Sequence, residues 1–83
     1  MDKTLVNVML PATGKNYDFW VPNGMSMKEA TALISEAMQI AEPSFYRRSA
    51  DAALMYNATG EIPPANATIS EIGFTDGDRF SLI

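Results

Sequence analysis

The chain has 83 residues, enough for one domain and too few for two. Apolar residues make up 47% and charged residues 19%, which excludes a disordered chain. With a net charge of -4 and only six basic residues, there is little to meet the phosphates of a nucleic acid. There is no cysteine and no histidine, so no disulfide framework, thiol nucleophile, thiolate metal site or imidazole base. No apolar run approaches the roughly 18–20 residues of a membrane-spanning helix, and the N-terminus lacks a signal-peptide core. These features point to a cytoplasmic protein without membrane insertion, and Asn57-Ala58-Thr59 and Asn66-Ala67-Thr68 read as accidental matches to the glycosylation pattern.

Residues 4–10 place Val6, Val8 and Leu10 in alternation, as in a half-buried strand. Pro11 to Asn16 carries turn chemistry, and Tyr17, Phe19 and Val21 then alternate again, which predicts a β-hairpin. Ser26 with Glu29 forms a capping box. Met27, Ala30, Ile34, Ala37, Met38 and Ala41 follow as one helical stripe with Leu33 beside it, while Lys28, Glu29, Ser35, Glu36 and Gln39 lie largely outside it. Pro43 ends that helix at or just before Glu42. Residues 43–52 fit a loop, a short helical turn or an irregular extended stretch. A short strand is expected at 53–56, with brief pairing at Glu61-Ile62 before Pro63-Pro64. Thr68 and Glu71 repeat the capping-box spacing, and Gly73 suits a helix end, so one turn of helix is expected at 69–72. Asp76-Gly77 turns into a closing strand at 78–83 with Phe80 and Leu82 facing inward. A hairpin followed by a helix and further strands defines an α+β domain spanning 1–83, with the helix on one sheet face and the other face open.

In this arrangement the chain resembles ubiquitin. Thr13-Gly14-Lys15 through Ile34 lies on ubiquitin's first hairpin and helix without a gap, with Tyr17, Phe19, Val21, Met27, Ala30 and Ile34 on core positions. The run TISEIGFTDGDRFSLI at 68–83 follows ubiquitin's late helical turn and last strand, and Leu54-Met55-Tyr56 matches its third strand in type. Residues 39–53 depart from the pattern, being longer and different in character. The resemblance implies a β-grasp fold with a mixed sheet of four to five strands and one main helix. Ile69 through Phe80 is also similar to the bacterial YukD/EsaB family. Those are small stand-alone ubiquitin-like proteins associated with type VII (WXG100, ESX-like) secretion in Gram-positive bacteria. That resemblance implies a cytoplasmic accessory or regulator whose partner is a protein, such as a membrane-associated secretion component.

Ubiquitin and the ubiquitin-like sulfur carriers act through a flexible Gly-Gly tail. This chain ends Ser81-Leu82-Ile83 within a strand pattern, so neither conjugation nor sulfur carriage is expected. A ubiquitin-like carrier is the alternative if the native chain extends past Ile83. The expected working surface is the open sheet face. Strand alternation turns Met9, Met55, Ser81 and Ile83 away from the helix, and methionine adapts well to a partner surface. The competing reading is scattered apolar residues of the ordinary kind. Trp20, between Phe19 and Val21, points outward as an interface anchor, or lies over the hairpin edge or beneath residues 43–52. Arg47-Arg48 fits an acidic partner or a solvated loop, and Asp76-Gly77-Asp78 fits a turn better than a cation loop. No pair of carboxylates is placed around a cleft, and no catalytic residue, cofactor or metal is expected. An exposed edge strand with an apolar face also allows a homodimer.

Overall fold

The computed structural model describes residues 2–83. Strand β1 runs Lys3–Leu10 and buries Thr4, Val6, Val8 and Leu10 on one side. Its return turn closes on Leu10, whose carbonyl accepts the Thr13 N–H at 3.1 Å and the Gly14 N–H at 2.8 Å. Gly14 sits at φ 72, a left-handed conformation that costs glycine little. Strand β2, Lys15–Pro22, then pairs antiparallel with β1 from Leu10↔Lys15 to Lys3↔Pro22.

Helix α1 spans Met27–Ala41 and opens on the expected capping box. The Ser26 hydroxyl accepts the Glu29 N–H at 3.2 Å, and the Glu29 carboxylate accepts the Ser26 N–H at 3.4 Å. Such a cap contributes about 1 kcal/mol. The helix ends at Glu42, one residue before Pro43, with the Glu42 N–H donating to the Met38 carbonyl. Its inward face holds Met27, Ala30, Ile34 and Met38. Two expectations need correction here. Ala41, assigned to the stripe, is exposed. Ser35, placed among the largely outward residues, is only 1% exposed, because residues 43–52 fold back over that side of the helix. The Tyr46 hydroxyl lies 2.7 Å from the Ser35 hydroxyl, which satisfies both groups.

Residues 43–52 begin as a turn, with the Phe45 and Tyr46 N–H groups on the Glu42 carbonyl, and continue irregularly. The Arg48 N–H donates to the Gln39 side chain at 2.7 Å, so the segment is tied to α1 twice. Strand β3 is short, Leu54–Tyr56. The expected pairing near Glu61 is a single bridge from Tyr56 to Glu61, so among the described residues the sheet has four strands and no fifth. Helix α2, Ile69–Ile72, carries the second capping box and ends on Gly73 at φ 82. Strand β4 is Asp78–Leu82.

The sheet order is β2-β1-β4-β3, with β1 and β4 parallel at the centre and both outer pairs antiparallel. The core joins Val6, Val8, Leu10, Val21, Leu54, Phe80 and Leu82 of the sheet to the inward face of α1 and to Ile69. Each fully buried side chain of this kind contributes about 1.5–3 kcal/mol over an exposed one. Phe80 also stacks edge-on against Phe74 at 4.7 Å and tilts against Tyr56 at 5.4 Å.

Candidate functional site

Alternation fixes what the helix-free face carries. Since Val6, Val8 and Leu10 join the core, the half-buried Leu5, Asn7 and Met9 point the other way. Met9 pairs with Ser81 on β4, and Ser81 pairs with Met55 on β3. The three therefore form one row across three strands, two thioethers flanking a small hydroxyl. Ser81 is buried between them, and its hydroxyl donates to the Asn57 side-chain carbonyl at 2.8 Å. Ile83 exchanges both backbone hydrogen bonds with Ala53 at 2.9 Å, which extends the β3–β4 pairing one residue beyond β4. Two residues after Ser81, it shares Ser81's face and is 54% exposed.

The structure brings together four of the five residues singled out on this face and sets the fifth apart. Trp20 pairs with Leu5 and so lies on the same face, 52% exposed, but toward its other end. Between Trp20 and the methionine row runs a polar row, Asp18–Asn7–Arg79, in which the Asn7 amide donates to the Asp18 carboxylate at 2.9 Å. Trp20 borders a small notch with Met25 and Leu33, to which residues 43–52 contribute nothing. It is thus not covered by that segment.

Elsewhere the titratable groups serve structure. The Tyr17 hydroxyl donates to Glu42 at 2.5 Å and the Lys15 ammonium lies 3.2 Å from the same oxygen. These two contacts, the tyrosine first, hold the Glu42 carboxyl below its usual range, and its carboxylate pushes the Tyr17 phenol up. The Thr68 backbone and hydroxyl lower Glu71 as part of its capping box. Asp78 accepts the Thr75 N–H at 2.9 Å, which is turn chemistry, and Asp76 accepts the Leu5 N–H at 2.9 Å, which ties that turn to β1. Among the described residues, no three carboxylates converge as metal ligands, and no helix is long and apolar enough to cross a membrane.

One feature escaped sequence reasoning. A groove of about 760 Å³ lies between the N-terminal half of α1, residues 48–54 and residues 62–66. Its walls come from three segments far apart in the chain. The length and altered character of residues 39–53 were the only signal that could have pointed to it.

No protein-family model matches this chain, and no curated protein matches it either. Solved structures do. The ubiquitin-like domain of EccD5 from Mycobacterium xenopi superposes with a TM-score of 0.81 at 13% identity, covering 100% of this chain and 94% of that one. The ubiquitin-like domain of the Mycobacterium tuberculosis type VII secretion protein EccD1 gives 0.78 at 13%, covering 100% and 99%. A chain of the MycP5-free ESX-5 inner membrane complex gives 0.84 at 16%, and this protein spans 21% of its length. Caldiarchaeum subterraneum ubiquitin gives 0.68 at 17%, covering 98% and 91%. The fold is therefore the ubiquitin-like β-grasp.

Proposed function

We propose that this chain is a non-catalytic ubiquitin-like interaction module that serves a bacterial type VII secretion system from the cytoplasm, as an accessory or regulator of the YukD/EsaB kind. It docks on a membrane-associated component of that machine through the helix-free sheet face and acts without being conjugated. The observation that carries the reading is the row Met9–Ser81–Met55 with Ile83 beside it. It offers flexible, polarisable side chains on a rigid three-stranded base. The superposition on the EccD1 and EccD5 ubiquitin-like domains over the whole chain supports the choice of machine. Trp20 forms a separate anchor at the far end of the same face.

The test is cross-linking pull-down from native lysate, with membrane fractions, using the wild-type chain and the Met55→Asp and Ile83→Asp variants. The wild type is expected to recover a secretion component that both variants lose while their circular dichroism stays unchanged. Undiminished capture by both variants overturns the site. Recovery of an adenylating enzyme overturns the module reading in favour of a carrier.

A further inference from the structure

The groove beside α1 has a chemistry of its own. One wall is the helix from Met27 to Ala32, the opposite wall is residues 48–54, and Ile62, Pro63, Ala65 and Asn66 close the end. Small side chains dominate it. Ala32, Ala50, Ala52, Ala53 and Ala65 leave room for a backbone to lie close against both walls. The charged side chains that line it are Lys28 and Arg48, both cationic, in a chain whose net charge is -4. Arg48 is shared with Glu36 at 3.7 Å in an exposed pair, and among the described residues Lys28 has no ion-pair partner.

Both walls are held before anything binds. Residues 46–48 are tied to α1 by the Tyr46–Ser35 contact and by the Arg48 N–H on Gln39, each at 2.7 Å. Ala53 is fixed to Ile83 by two backbone bonds. On the other side the Met27 and Lys28 N–H groups donate to the Ala67 and Ala65 carbonyls at 2.8 and 3.0 Å. A preformed groove spares an incoming segment much of the ordering cost of association. Leu54 pairs with Leu82 of β4, but because the preceding Ala53 exchanges both backbone bonds with Ile83, the Leu54 N–H and C=O point away from β4 toward the groove edge of β3, where a strand could pair.

We infer that this groove is a second docking site, for an acidic, extended segment of a partner protein. Small and apolar side chains of that segment rest on the alanine walls, and its carboxylates face Lys28 and Arg48. Complementary charge selects the occupant, since a basic segment would meet two like charges and no carboxylate in the lining. The site is distinct from the methionine row, which lies on the other side of the sheet, so either can fail without the other.

The experiment is a titration of isotopically labelled full-length protein with two synthetic peptides, read by amide chemical shifts. One peptide alternates Asp or Glu with Val and Ala. The other carries Lys at every acidic position. The acidic peptide is expected to shift amides of residues 28–32, 48–54 and 62–66 saturably below about 1 mM, and less at high salt. Combining Lys28→Glu with Arg48→Glu is expected to weaken it about tenfold or more. Both positions are exposed, and an otherwise unchanged amide spectrum verifies the fold. Met9→Asp is expected to leave this binding intact, which separates the groove from the sheet face. The proposal is overturned if no saturable shift appears, if the basic peptide binds as well, or if the shifts centre on Met9 and Ser81. Shifts that follow protein concentration instead of added peptide would put a second copy in the groove and overturn it equally.

Discussion

The contact between Tyr46 and Ser35 holds the wall of the groove to α1, and its two halves should not be worth the same. Ser35 is 1% exposed and Tyr46 is half-buried. Tyr46→Phe keeps the ring packed on the core but leaves the Ser35 hydroxyl buried beside a C–H edge. An orphaned buried hydroxyl costs about 1–3 kcal/mol. For a domain of this length that lowers Tm by about 4–8 °C per kcal/mol. Ser35→Ala removes the buried polar group itself and leaves a tyrosine hydroxyl that can reach water. The lost bond, about 1 kcal/mol, is offset in part by alanine's better helix propensity, about 0.5 kcal/mol. The expected order is therefore Tyr46→Phe well above Ser35→Ala. The double variant should lie close to Ser35→Ala, so the coupling in a double-mutant cycle should match the cost of Tyr46→Phe itself, about 1–3 kcal/mol. Urea unfolding followed by Trp20 fluorescence and far-UV circular dichroism measures all four corners. Equal costs for the two single variants, or a double variant equal to their sum, would refute the account of Ser35 as a buried group that needs its partner.

Glu42 and Glu71 are both held below the usual carboxylate range, so the unfolded chain binds more protons than the folded one in acid. Their contribution is full above the ordinary carboxylate range and is lost as pH falls through their lowered folded values, so Glu42→Gln should flatten the acid limb of a stability–pH profile. Tyr17 is raised, so its contribution is full below the ordinary phenol range and is lost as pH climbs through its raised folded value; Tyr17→Phe should remove the alkaline loss. Gly73→Ala should destabilise by about 1 kcal/mol in thermal unfolding, because a Cβ there meets open space and the cost is the left-handed backbone at φ 82 alone.

Local signals carried most of the fold. Alternation at Val6, Val8 and Leu10 marked β1, and the spacings Ser26–Glu29 and Thr68–Glu71 placed both helix starts. Those signals work because they depend on neighbours within a few residues. What stayed hidden depends on distant pairing. Ser35 looked like a surface residue because its type is polar, and only Tyr46, eleven residues on, makes its burial affordable. Residues 43–52 carry no period of 2 or 3.6, so their path follows from contacts with Ser35, Gln39 and the core. At the candidate face, alternation gave the side of the sheet for Met9, Met55, Ser81, Ile83 and Trp20. It could not give their grouping, which depends on the β1–β4 and β4–β3 registers. Those registers put a polar row between Trp20 and the methionines.

Strand β3 ties the two surfaces together. Leu54 turns to the core and lines the groove, while Met55, the next residue, belongs to the row on the helix-free face. Three residues thus present one side of the chain to each surface, as the two-residue period of a strand requires. The strand is held along one edge by β4 and along the other by the single bridge from Tyr56 to Glu61. So short an element gains most of its order from what packs on it, and a partner on either side would protect the same amides from exchange. Protection of β3 therefore cannot tell the two sites apart. Side-chain variants can, because Met55→Asp changes only the open face and Lys28→Glu changes only the groove. A partner that loses affinity with both would have to wrap around the β3 edge of the sheet, reaching each surface from the same side of the domain.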